Sequence, residues 1–216
     1  VTLLFSVESY VETAWAYIRG LEKRAEAGED ISKVASVASF FLSRIDVMID
    51  EQIDSKLESA EGDAKAKLEA IKGKVAIANA KVAYQKYKEI FGSDRWKALA
   101  AKGAKVQRLL WASTGTKNPD YSDVMYVDEL VGQDTVNTLP PDTIDACVDH
   151  CDPASRIESN LDAAHQIIEG LKDDAVNIDL DTVMDALLEE GIDKFIKPFE
   201  SLMSSLEAKV KHLAAV

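Results

Sequence analysis

Apolar and polar positions change their period several times along the chain, and each change marks an element. Val1 to Phe5, VTLLF, is an apolar run of β type that closes at Ser6, a residue suited to cap a helix, with Glu8 placed to favour the positive helix end. Val11, Ala14, Trp15, Ile18 and Leu21 then recur with helical spacing until Gly28. Val34 to Leu42, VASVASFFL, is short, β-compatible and apolar on both faces, which suits a parallel strand covered by helices on each side. Arg44 and Asp46 end that run, and IDVMIDEQIDSKLESA leads into a long helical stretch in which Ile71, Val75, Ala78 and Val82 keep one face apolar. Gly92-Ser93-Asp94 breaks this pattern, with Asp94 placed to cap a further helix containing Trp96 and Leu99, and Gly103 stops that helix. Val106 to Ala112 and Asp134 to Leu139 are the third and fourth strand candidates. Beyond Pro140-Pro141 the periodicity is helical again, over Thr143 to Val148, Ser155 to Asp173 and Leu180 to Leu213, with interruptions expected at Gly191 and Pro198.

Strands separated by helical stretches imply parallel βα units. The expected fold class is α/β, a parallel (β/α)8 TIM barrel of which this chain carries roughly the second half, four βα units plus extra helices. On this reading residues 1–216 are the C-terminal part of one barrel domain, with a long helical insertion at about 50–103 and C-terminal helices at about 155–215. Half a barrel leaves two sheet edges bare, which natural proteins avoid. With Val at position 1 and a strand already under way there, the sequence reads as a portion of something larger.

Composition narrows the classes of function. A 47% hydrophobic and 29% charged content is that of a soluble globular protein. The formal net charge of −13 argues against a nucleic-acid surface, which needs clustered cations. No apolar run approaches the roughly 20 residues needed to cross a bilayer. Cys147 and Cys151, beside His150 and Asp152, are too few for a zinc site, because His165 and His212 stand alone. They read as a pair of reduced thiols on a helix end, and free thiols suit the cytosol. Neither a metal nor an organic cofactor is expected.

Polar residues recur where each strand ends or points inward. Thr2 lies in the first strand, Ser39 and Phe41 share one face of the second with Arg44 just past it, and Ser113 and Lys117 follow the third. Arg44 and Lys117 at a barrel rim would supply a fixed fork and a mobile point charge to one phosphate group. Taken singly, Arg44 is explained as well by an ion pair with Asp46 or Asp50, and Lys117 by a solvated loop. Recurrence at successive strand ends favours a site.

At these residues the chain resembles a known family. VTLLFS, VASVASFFLSRID, WASTGTKNPDYSDVMYVDELVG and DTVNTLPPDTIDA each resemble segments of transaldolase, in the same order, and the intervening GKVAIANAKVAYQKYKEIFGSDRWKALAAKGAKVQRLLWAST is similar to its longer bacterial branch. The resemblance covers essentially the whole chain. It implies a βα-barrel enzyme of the pentose phosphate pathway that moves a dihydroxyacetone unit between sugar phosphates through a lysine Schiff base. It also implies that Thr2 helps hold a catalytic water, that Ser39 and Phe41 shape the dihydroxyacetone pocket, and that Arg44, Ser113 and Lys117 hold the phosphate.

The same resemblance places the Schiff-base lysine in a run like KIPAT on a strand before VTLLF, and the acid/base aspartate and water-activating glutamate earlier still. The chain is therefore expected to need an N-terminal half of the barrel and to be inactive alone. Lys74 and Lys81, expected on an outer surface helix, and Lys197, among the C-terminal helices, have nothing to activate them as nucleophiles. Two other readings stay open at this point: a phosphate-binding aldolase-type barrel of another class, and a non-catalytic, acidic helical interaction module.

Overall fold

The computed structural model describes residues 2–214, the side chain of residue 214 excepted. Ser6 caps the first helix, α1 (Val7–Glu26), its hydroxyl accepting from the Ser9 N–H, and Tyr10, Ala14, Ile18 and Leu21 form the buried stripe. Strand β1 (Ser36–Phe41) follows, and then α2 (Ser43–Leu57), α3 (Gly62–Ile71), α4 (Val75–Phe91) and α5 (Asp94–Ala100). Strand β2 (Gln107–Ala112), α6 (Met125–Leu130), β3 (Thr135–Asn137), α7 (Pro141–His150), α8 (Leu161–Gly170) and α9 (Leu180–Ala214) complete the order.

The three strands pair in parallel in the order β1-β2-β3, with Ser36 opposite Gln107 and Leu109 opposite Thr135. The first expected strand contributes less than its apolar run suggested. Leu4 makes one parallel bridge to Phe40, its N–H donating to the Ser39 carbonyl at 3.1 Å and its carbonyl accepting from Phe41 at 2.8 Å. Val1 lies outside the described residues. Among those described, this segment pairs on one side only, and a ladder held on one side is short.

Strand alternation decides which residues meet the core and which meet the site. Ala38 and Phe40 turn to the helices and are fully buried, with Phe40 edge-on to Trp111 at 6.0 Å. Val37, Ser39 and Phe41 face the other way and are half-buried. The expectation that both faces are covered is therefore met on one face within the described residues. On the covered face, α4 packs against α1, α8, α2 and β2. It is buried nearly all round, not along one stripe, with Asn79 and Lys81 inside as well as its alanines and tyrosines.

Four helical expectations need correction. The stretch after β1 is not one long helix: turns at Gly62 and Gly73, both with positive φ, divide it. Ser93, not Asp94, caps α5 by accepting from Trp96 N–H at 3.2 Å. The helix expected from Ser155 starts only at Leu161, because the Arg156 and Ile157 amides bond the Val131 carbonyl and Asn160 adopts a left-handed conformation. Finally, α9 runs through both Gly191 and Pro198. Gly191 is there for contact, since a Cβ on it would fall 2.7 Å from a Leu3 methyl. Past it, Ile192, Ile196, Phe199, Met203, Leu206, Val210 and Leu213 recur alternately four and three residues apart, and all stand exposed. Among the described residues, no helix is long and apolar enough to cross a membrane.

Two glycines separate backbone strain from crowding. Gly28 (φ +75°) has open space around it, whereas a Cβ on Gly73 (φ +70°) would meet the Tyr121 ring at 2.6 Å. Gly28→Ala should cost about 1 kcal/mol through its left-handed backbone alone. Gly73→Ala adds an overpacking cost and should lose roughly 2–4 kcal/mol. Urea unfolding midpoints of the two variants check this, and equal midpoints would contradict it.

Candidate functional site

Parallel strands end on the same side, and here β1 and β2 stay joined beyond their last residues. The Leu42 N–H donates to the Ala112 carbonyl at 3.0 Å and the Ser43 N–H to the Ser113 carbonyl at 3.1 Å. The Ser43 and Ser113 hydroxyls then meet at 2.9 Å. Ser113 sits at φ +58°, a left-handed backbone that a side-chain-bearing residue rarely adopts. Strain of this kind collects at ligand sites. The next residue, Thr114, is fully buried and donates to Asn137 Oδ1 at 2.9 Å, which ties the turn to the end of β3.

Arg44 leaves the first turn of α2 directly beneath this junction. Its guanidinium lies 5.6 Å from the centre of the Phe41 ring, and its Nη1 is buried without a hydrogen-bond partner. The alternative explanation for Arg44, an ion pair with Asp46 or Asp50, is not met, because both carboxylates are engaged elsewhere. Arg44, Ser113 and Lys117 line one cavity of about 460 Å³, closed by α2 and α9. Lys117 is exposed and makes no ion pair among the described residues. Three of the six sequence-nominated residues are thus brought to one place.

The other three lie beside it on the sheet. The Ser39 N–H donates to Thr2 Oγ1 at 2.6 Å, so those two are in direct contact, and the Thr2 hydroxyl keeps its own proton to donate. Phe41 links the two groups, its ring tilted against that of Phe5 at 5.4 Å on one side and under Arg44 on the other.

Asp46 and Asp50 are the polar residues whose importance the sequence did not announce. Asp46 Oδ1 accepts from the Ala76 N–H at 2.8 Å and its Oδ2 from the Tyr126 hydroxyl at 2.7 Å. Asp50 repeats the pattern one turn on, accepting from the Gly73 N–H at 2.9 Å and the Tyr121 hydroxyl at 2.8 Å. These bonds satisfy free amides at the start of α4, which has no capping side chain of its own. They also fasten the segment after Lys117 through Tyr121 and Tyr126. Burial pushes the Asp46 carboxyl up to about 6, against the lowering effect of the amide and phenol that bond it. Carboxylates four apart on a helix read as a solvated face, so only the tyrosines' spacing after Lys117 carried a signal. Cavity residues Glu190 and Lys194, an ordinary i,i+4 pair at 3.2 Å, were equally silent.

The rejected lysines divide. Lys74 and Lys197 are exposed, as expected. Lys81 is not on a surface: its side chain is 4% exposed and its ammonium meets Glu129 at 2.7 Å and the Ser159 carbonyl at 3.2 Å. Both contacts engage its nitrogen inside the fold, away from the cavity lined by Arg44, Ser113 and Lys117. The two cysteines end α7 with sulfurs 2.6 Å apart, and the Cys151 thiol is pushed up to about 12 by lost hydration and by Cys147. His150 turns instead to Asp123 and Asp149. No group of three metal-ligating side chains occurs among the described residues.

The sequence profile of the family described as Transaldolase/Fructose-6-phosphate aldolase matches residues 1–206. The chain belongs to that family. It is 70% identical over 217 residues to the transaldolase of Trichodesmium erythraeum (strain IMS101), covering all of this chain and 57% of that relative. Transaldolase 2 of Nostoc sp. (strain PCC 7120 / SAG 25.82 / UTEX 2576) is 67% identical over 218 residues, with the same coverage on both sides. The transaldolase of Saccharopolyspora erythraea is 47% identical over 211 residues, covering 97% of this chain and 55% of the relative. The chain thus spans a little over half the length of the curated relatives it matches.

The Asp46 environment sets a pH dependence. Its folded value of about 6 lies above its ordinary 3.8, so the fold binds this proton more tightly than the unfolded chain does. The stability it contributes is fully present below about pH 4 and is lost as pH rises through 6. Asp46→Asn removes the ionisation, and its stability relative to the parent chain should improve between pH 4.5 and pH 7, measured by urea denaturation at both. A difference that does not change with pH would refute the raised value.

Proposed function

We propose that this chain carries the phosphate-binding side of a (β/α)8-barrel transaldolase, an enzyme that transfers a dihydroxyacetone unit between sugar phosphates such as sedoheptulose 7-phosphate and fructose 6-phosphate. The observation that carries the reading is the meeting of Arg44, Ser113 and Lys117 on one cavity at the C-terminal ends of two parallel strands, with an Arg44 N–H buried and unpartnered. Sites at that end of parallel strands are where βα enzymes bind ligands. A buried donor without a partner is costly, and a phosphate oxygen is an acceptor that removes the cost.

Each residue then has a task. Arg44 grips the phosphate, Ser113 donates its hydroxyl, and Lys117 adds a mobile charge. Fixing this non-reacting end fixes the distance to the carbonyl, so binding energy is used for orientation. Ser39 and Phe41 shape the dihydroxyacetone pocket, and Thr2, in contact with Ser39, holds the water that moves protons. The lysine whose iminium acts as electron sink for carbon–carbon cleavage is assigned to the part of the relatives that this chain does not span. The remaining barrel strands, and with them the rest of the pocket, belong to that part too. Free thiols accord with a cytoplasmic protein.

Two measurements test the reading. Arg44→Ala in the full-length enzyme should weaken phosphorylated substrates by ~2–5 kcal/mol while leaving an unphosphorylated dihydroxyacetone donor much less affected. Equal loss for both donors removes the phosphate role. Treating the present chain with fructose 6-phosphate and borohydride should trap no adduct, and a stable adduct on Lys74, Lys81 or Lys197 would show that the nucleophile has been misassigned.

A further inference from the structure

We infer that Lys194 of α9 is a third cation of the phosphate site, held by Glu190 when the site is empty and transferred to the phosphate when it is filled. The inference rests on the phosphate-binding reading and extends it to a helix that sequence comparison of strand ends does not reach. Leu187, Glu190 and Lys194 lie three and four residues apart, on one face of α9, and all three line the cavity with Arg44, Ser113 and Lys117. That face is seated by packing: Leu187 is buried, and Gly191 approaches Leu3 so closely that no side chain fits between them. α9 also packs against α2, the helix that carries Arg44.

Charge complementarity favours the transfer. The cavity wall holds three cations, Arg44, Lys117 and Lys194, against two carboxylates, Glu51 and Glu190. A phosphate monoester brings close to two negative charges near neutral pH. Arg44 and Lys117 have no carboxylate partner among the described residues, whereas Lys194 is bonded to Glu190 at 3.2 Å. That pair is more than half exposed on both sides, so water and counter-ions screen it and little is lost when it opens. A charge-assisted bond to a phosphate oxygen that Arg44 and Lys117 also hold is the stronger alternative. The flexible four-carbon stem of lysine permits the change without moving the helix. Glu190 therefore acts as a competitor for the same ammonium, and its removal should favour the ligand.

Isothermal titration of the full-length enzyme with inorganic phosphate, and with fructose 6-phosphate, tests this. Lys194→Gln should weaken binding roughly three- to tenfold, Lys194→Arg should restore most of it, and Glu190→Gln should tighten it about twofold. In the Lys194→Gln background, Glu190→Gln should give a smaller gain, because the ammonium that Glu190 competes for is gone. If Lys194→Gln binds as the parent does while Arg44→Ala has lost binding, the role of Lys194 is wrong and the phosphate site stands. If the full-length parent does not bind phosphate, or Arg44→Ala binds unchanged, the phosphate reading itself falls and this inference with it.

Discussion

Two buried carboxylates on α2 hold the start of α4 and the segment after Lys117 to the helix that carries Arg44. Asp46 and Asp50 each accept one backbone amide from the turn into α4 and one phenol from the segment after Lys117. A carboxylate taken out of water must find partners or protonate. These two find partners between 23 and 80 residues away in the sequence, and two separate segments are drawn to one helix as a result. Arg44 benefits indirectly: because Asp46 and Asp50 are already satisfied, its guanidinium has no internal anion to neutralise it and stays available for one from outside.

The elements legible in the sequence are those that a local pattern defines. Ser6 before the stripe of α1, the alternation of Ser39 and Phe41 against Ala38 and Phe40, and the parallel pairing of β1, β2 and β3 all follow from periodicity and capping. What was illegible depends on partners far away in the chain. Lys81 looks like a helix-surface lysine until Glu129, on α6, is placed against it. Pro198 looks like a helix stop, yet α9 continues because its surroundings there are solvent. The candidate site was read through a resemblance that supplied roles for Thr2, Ser39, Phe41, Arg44, Ser113 and Lys117. Lys194, which lines the cavity, gave no signal in the sequence because a Glu-Lys pair four apart is an ordinary surface pattern on a helix.

Local inconsistencies gather at the candidate site in this molecule. A chain that folds without conflict has relaxed backbones and satisfied donors, and departures gather where ligands bind. Ser113 has a left-handed backbone where glycine would be relaxed, and Arg44 buries an N–H with no acceptor. The two departures lie on the same cavity, one on each side of the junction where Ser43 meets Ser113.

The proline within α9 has a mechanical consequence. Pro198 lacks an N–H, so the carbonyl four residues earlier, that of Lys194, loses its intrahelical donor. A 35-residue helix about 50 Å long therefore has its softest joint at the turn that faces the cavity. The segment beyond that joint, with its apolar stripe turned to solvent, is a lever arm whose fulcrum lies beside Arg44 and Lys117.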